Sequence, residues 1–266
     1  MNDSPPLLVG RDDGVMSVVL NRPDKHNPLS RAVLAALQDA MQQASRDDTL
    51  RCVLLRGAGN GYFAAGGDLH DLSSVRSRED TEAMVTEARG ALDAVRECPV
   101  PVIAVINGDA LGGGAELAVA CDLRIMAAHA RIGYMHGRLN VSTGWGGGTD
   151  LFDLVGRARA LRMLARAEMV HAADALAWGL ADAVAPPEAD LDAFAVGFVE
   201  PIRRQSPRLM RAYKAQALAK RRGEDRDARR HAEMRDFIDS WIHDDHWQAV
   251  ERILSRSSQN KGDENG

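Results

Sequence analysis

Asn107-Gly108-Asp109-Ala110-Leu111-Gly112-Gly113-Gly114-Ala115-Glu116-Leu117 is the stretch on which the fold turns. It follows Val100–Ile106, a near-continuous apolar run of the kind expected of a strand buried on both faces. Pro101 sits near the start of that run, where a missing N–H is tolerated. The glycine-rich segment Gly108–Gly114 then leads into a short helix, Ala115–Ala120. Glycines let the backbone turn sharply and let a ligand approach peptide N–H groups with no Cβ in the way. The helix start adds unpaired donors and about half a positive charge. The stretch therefore reads as strand, turn and helix, with a turn that favours a developing negative charge.

Strands and helices alternate around it. Upstream, Val15–Leu20 is a β-branched strand stopped by Asn21, Pro23 and Asp24. Ser30 caps a helix reaching about Ala44, with Leu34, Leu37 and Met41 on one face. Leu50–Leu55 is a strand, Gly57–Gly67 a loop, and Thr81–Val95 a helix burying Met84, Ala88, Leu92 and Val95. Downstream come short strands at Leu123–Met126 and Ala130–Gly133. Helical patterns take over after Gly148: Asp150–Val155 closed by Gly156, Ala158–Ala165, Ala172–Trp178 closed by Gly179, and long helices from Ala189 to Leu254. The class is α/β with a helical C-terminal part, residues 1–190 and 191–266, without a low-complexity linker at the boundary. Ser257–Gly266 reads as a polar tail.

The 266 residues can bury a sizeable core. A net charge of −5 gives no global positive field for nucleic acid. The basic run Arg203, Arg204, Arg208, Arg211, Lys214, Lys220, Arg221, Arg222 is either a solvated helix face or a landing site for a phosphorylated ligand. Cys52, Cys98 and Cys121 are scattered, without CxxC or histidine at metal spacing, and read as small buried hydrophobes; no metal site is expected. The apolar runs are too short to span a bilayer, and Met1–Gly10 lacks a signal pattern, so no membrane association and a cytoplasmic location are expected.

A second loop resembles the first in character: Phe63-Ala64-Ala65-Gly66-Gly67-Asp68-Leu69 has small residues, two glycines and an acidic cap. One N–H from each loop can serve a single oxygen as an oxyanion hole, each donor worth about 3–4 kcal/mol. Taken singly, each loop reads equally as a packing turn. The dinucleotide fingerprint G-x-G-x-x-G directly after the first strand is absent, as are a P-loop lysine and a G-x-S-x-G elbow.

With Leu20-Asn21-Arg22-Pro23-Asp24-Lys25-His26-Asn27-Pro28-Leu29-Ser30 and Gly144-Trp145-Gly146-Gly147-Gly148-Thr149, these loops make four motifs in order. Together they resemble the crotonase (enoyl-CoA hydratase/isomerase) superfamily over residues 7 to 220. The resemblance implies a spiral of ββα units with C-terminal helices that assemble homotrimers or hexamers. It implies oxyanion donors at Gly67 and Gly113, and an acyl-coenzyme A substrate held around Lys25, His26, Ala65, Gly66, Asp68, Leu69 and Gly112. Coenzyme A would arrive as part of the thioester, with no tightly bound cofactor.

Glu116 aligns with one of the two glutamates that hydratases use as acid and base; its other reading is a first-turn acid placed for the helix dipole. The second glutamate's position falls on His136, in Ile132-Gly133-Tyr134-Met135-His136, and this histidine is either an acid/base group or a structural one. The Trp-Gly-Gly at 145–147 is similar to the ethylmalonyl-CoA decarboxylase branch. Trp145 either shapes the acyl pocket or packs in the core. Hydration or isomerisation of an enoyl-CoA is the first expectation. Decarboxylation of a 2-alkylmalonyl-CoA, which needs no braced water, is the second, and a non-catalytic acyl-CoA-binding scaffold the third. In Arg229–Leu254 the residues Phe237, Trp241, Ile242, Trp247, Val250 and Leu254 suggest an interface.

Overall fold

A computed structural model describes the backbone of residues 5–263 and the side chains of residues 5–255. The chain divides into two compact units, Met1–Arg204 and Gln205–Gly266.

In the first unit β1 (Leu7–Asp12) and β2 (Val15–Leu20) pair antiparallel. Asp13 and Gly14 join them, both at positive φ (39° and 72°), which suits a two-residue hairpin turn. There follow α1 (Arg31–Arg46), β3 (Cys52–Gly57), β4 (Tyr62–Ala64) and α2 (Arg78–Arg96). Next are β5 (Val102–Ile106), β6 (Asp109–Leu111), α3 (Gly113–Ala120), β7 (Leu123–Ala127) and β8 (Arg131–Gly133). A short 3-10 turn, Met135–Leu139, leads to α4 (Gly147–Arg166), β9 (Met169–His171), α5 (Ala172–Trp178), β10 (Ala183–Ala185) and α6 (Leu191–Arg203).

The strands form a six-stranded sheet, β1-β2-β3-β5-β7-β10, and a four-stranded sheet, β4-β6-β8-β9. Each passage of the chain gives one strand to each sheet and then a helix: β3-β4-α2, β5-β6-α3, β7-β8-α4. This is the spiral of ββα units that the resemblance implies. One face of the six-stranded sheet carries the main core, while Val15, Cys52, Ile103, Val105 and Ile125 on the other pack with Ala195 and Val199 of α6. Cover on both sides is why β5 is buried at every position. It also places α6 with the first unit, although it follows residue 190.

Local chemistry sets the helix ends. Ser30 Oγ accepts from Val33 N–H (3.3 Å), and α1 buries Val33, Leu34, Leu37, Ala40, Met41 and Ala44. Ser77 caps α2 through Asp80 N–H (3.0 Å), so that helix starts before Thr81. Gly156 (φ 76°, ψ 166°) breaks α4 where a helix end is expected, and Gly179 closes α5 in the left-handed region. The three-residue strands β4 and β6 lie inside segments that read as loops, and β1, with one buried residue, has no readable pattern.

The second unit consists of α7 (Pro207–Arg221), α8 (Arg226–Trp241) and α9 (Asp244–Asp263). α9 runs through most of the expected polar tail, because Ser257–Asp263 continue its helix; residues 264–266 lie outside the described residues. Of the basic run, Arg203 pairs with Asp12 and Asp13, Arg204 with Glu200, and Lys214 is buried.

Among the described residues no helix is long and apolar enough to cross a membrane, and no three His, Cys, Asp or Glu side chains are grouped for a metal. All three cysteines are buried, and burial pushes the Cys52 thiol up to about 12. A thiol reagent at pH 8 should therefore label none of them in the native protein and all three in guanidinium chloride. Rapid native labelling at Cys52 would contradict this packing.

Candidate active site

The site is assembled at the starts of two loops. After β4 the chain passes Ala65, Gly66 (φ +93°) and Gly67 alongside Pro28–Ser30. Leu29 N–H donates to Gly66 O (2.8 Å), Asp68 N–H to Leu29 O (3.2 Å) and Ala65 N–H to His26 O (3.1 Å). After β6, Gly112 (φ 53°) is the cap of α3 and donates its N–H to Gly133 O (2.9 Å). Gly113 is the first helical residue, where an N–H has no helical partner. Among the described residues neither the Gly67 nor the Gly113 N–H donates to a protein acceptor. The two loops touch: a Cβ on Gly66 would lie 3.0 Å from Leu111 O and 3.4 Å from Gly113 N.

The indole of Trp145 packs on both glycines. A Cβ on Gly113 would overlap the ring, with Cη2 at 2.8 Å, and one on Gly67 would stand 3.5 Å from the same atom. Trp145 is 8% exposed and belongs to the core. It is thus a packing residue whose ring lies against both glycines.

Glu116, 1% exposed, lies one turn into α3. Its Oε2 accepts from Trp145 N–H (3.0 Å) and Gly147 N–H (2.9 Å). Its Oε1 lies 3.1 Å from His136 Nε2 at an angle that makes no hydrogen bond, and among the described residues neither Oε1 nor His136 Nδ1 has a hydrogen-bond partner. One carboxylate oxygen is therefore fixed and the other is left to exchange a proton. His136 also borders the Gly112 turn, with Cε1 3.9 Å from where a Cβ would stand.

Sequence reasoning missed the groups behind this loop. Arg96, 5% exposed, donates to Trp145 O (3.0 Å), Asp150 (3.0 Å) and Asp93 (2.7 Å). The readable signal was an arginine four residues after Leu92 on the buried stripe of α2. Tyr134 OH donates to Gly147 O (2.9 Å). Burial first, then the nearby Glu116 and Asp150 carboxyls, push its hydroxyl well above the ordinary value, so it acts as a donor.

An open cleft of about 830 Å³ leads away from Gly67, lined by Arg22, Lys25, Ala65, Asp68, Leu69 and His70 among others. His26 instead stacks its ring on Tyr62 (4.2 Å between centroids). Arg22 pairs with Asp68 at 2.7 Å. Burial pushes the Asp68 carboxyl up, but Arg22 and the N–H groups of Asp71 and His70 outweigh it and hold the carboxyl below its ordinary 3.8. A depressed folded value means stability that is present above 3.8 and lost as the pH falls below it. Asp68→Asn should accordingly flatten the acid limb of a Tm-versus-pH curve. An unchanged limb would remove this tie from the acid response.

Comparison with known proteins decides the family. A sequence profile described as enoyl-CoA hydratase/isomerase matches residues 10–258. The chain belongs to that family. Among relatives in the enoyl-CoA hydratase/isomerase family, a putative enoyl-CoA hydratase/isomerase of Bacillus subtilis, YngF, is 37% identical over 68% of this chain and 69% of its own. The ethylmalonyl-CoA decarboxylase of Xenopus tropicalis is 31% identical over 64% of this chain and 57% of its own. The chain thus spans 57–69% of the length of these two relatives. The crystal structure of an enoyl-CoA hydratase from Bacillus anthracis superimposes with a TM-score of 0.88 at 30% identity, covering 94% of this chain and 96% of that one.

Proposed function

We propose that the protein carries an acyl-CoA thioester through an enolate, as an enzyme of the enoyl-CoA hydratase/isomerase type. The observation that carries this reading is that, among the described residues, two glycine N–H groups and one buried carboxylate oxygen make no hydrogen bond within the protein, with His136 Nε2 3.1 Å from that oxygen. The thioester oxygen takes the N–H groups of Gly67 and Gly113, which stabilise its developing charge more strongly than the ground-state carbonyl. Glu116 Oε1 then moves the proton at the acyl carbon next to the thioester. His136 Nε2 stands beside it as the second group, to brace a water for hydration or to receive the proton during a double-bond shift. The nucleotide end of coenzyme A lies along the cleft of Lys25, Ala65, Asp68 and Leu69. No tightly bound cofactor takes part.

Trp145 favours a second reading, decarboxylation of a 2-alkylmalonyl-CoA. There the electrons of the bond to carbon dioxide pass into the thioester, the same N–H pair holds the enolate, and a proton then returns to carbon. An apolar indole beside the N–H groups suits loss of a carboxylate and leaves little space for a braced water. Incubation with crotonyl-CoA, a 3-enoyl-CoA and ethylmalonyl-CoA, followed by chromatography of the thioesters, tests both. Hydration or isomerisation supports the first reading, and turnover of the malonyl ester alone transfers the assignment to the second. No turnover of any of them defeats both.

The protein acts, on this reading, as a homotrimer or hexamer. Phe237, Ile238 and Trp241 of α8 and Ile242 just after it are all about half exposed or more, an apolar surface of the kind that marks an interface. Light scattering should give three or six times 28.8 kDa. A monomer at micromolar concentration would refute the assembly.

A further inference from the structure

We infer that Trp145 ends the acyl chamber and restricts the substrate to short acyl chains; this rests on the acyl-CoA reading above. With the carbonyl oxygen on Gly67 and Gly113, the coenzyme A moiety leaves by the open cleft that reaches Gly67. The acyl group must then run the other way, toward Glu116 Oε1 and His136 Nε2. Along that direction it meets the indole, which lies against Gly67 and Gly113 together.

The ring is held there. The Trp145 N–H is bonded to Glu116 and its carbonyl to Arg96 Nη2, so the backbone is tied on both sides of the side chain. Gly146 follows at φ +92°, where a Cβ would stand 2.9 Å from Arg96 Nη2. Gly147 closes the segment with its own N–H on Glu116. These bonds fix the backbone under the indole, and the ring itself is confined by its packing in the core and against Gly67 and Gly113. The same ring makes Gly113 sterically obligatory, since a side chain there would occupy its volume. An acyl tail long enough to reach the indole has to displace a packed core residue, and interiors at this density yield little.

Binding of saturated acyl-CoAs tests the inference apart from turnover, because these esters carry no double bond to hydrate. Calorimetric titration of the wild type with butyryl-, hexanoyl- and decanoyl-CoA should show decanoyl-CoA bound about 10-fold or more weakly than butyryl-CoA, since even one methylene in a closed pocket carries a 10- to 200-fold discrimination. Trp145→Ala should move that ratio by about 100-fold toward the long chain. Trp145→Phe, which keeps an aromatic core residue should the alanine variant fail to fold, should move it part of the way. Equal or tighter binding of decanoyl-CoA by the wild type overturns the inference. So does an unchanged ratio in a folded Trp145 variant. Failure of every thioester to bind, in wild type and variants alike, defeats the acyl-CoA reading itself and this inference with it.

Discussion

Glu116→Gln is expected to lower kcat by about 100-fold or more on whichever thioester the protein turns over, with KM and Tm nearly unchanged. The substitution separates chemistry from packing because Glu116 performs one task with each oxygen. Oε2 receives the N–H groups of Trp145 and Gly147, and an amide oxygen in that place still accepts both, so neither donor is stranded. Oε1 becomes an NH2 group, which takes up no proton. Glu116→Ala would be a poorer experiment, since it strands two buried N–H donors at a cost of about 1–3 kcal/mol each. Glu116→Asp retracts the oxygen, and a displacement of about 1 Å can itself cost on the order of 100-fold. A kcat for Glu116→Gln within a few-fold of wild type would take Glu116 out of the proton transfer, and the acid/base role would then pass to His136.

Much of this arrangement was legible because glycine and periodicity are strong local signals. Val100–Ile106 reads as a strand covered on both faces, and the structure supplies both covers, the main core on one side and α6 on the other. Glu116 could be placed one turn past the glycines because helical spacing fixes it there. What could not be read depends on partners distant in sequence. β4 and β6 are three residues each, too short for any alternation to register, and exist because they pair with each other. β1 exposes five of its six residues and is defined by its ladder to β2 across the Asp13-Gly14 turn. The contacts of Trp145 with Gly67 and Gly113 are likewise invisible in the chain, since 78 and 32 positions separate them. Arg96 is the plainest case, because an arginine at a helix end ordinarily reads as a solvated charge complementing the dipole.

Arg96→Met should be the most damaging substitution for stability, at about 3–5 kcal/mol, because it removes one member of a buried ion pair and leaves Asp150 without its guanidinium. For a chain of this size that corresponds to a Tm lower by roughly 10 °C. The second-site change Asp150→Leu should restore at least half of the loss, since an apolar pair in place of a buried ion pair is often close to neutral. Activity should not follow. Arg96 also donates to the Trp145 carbonyl, and the 145–147 segment it anchors supplies both N–H groups that hold Glu116 Oε2. In the double variant that carbonyl still lacks its donor, so kcat should stay depressed while Tm recovers. Recovery of both together would show that Arg96 serves packing alone. A recovered Tm with a low kcat would make the buried guanidinium the positioning group for the carboxylate that moves the proton.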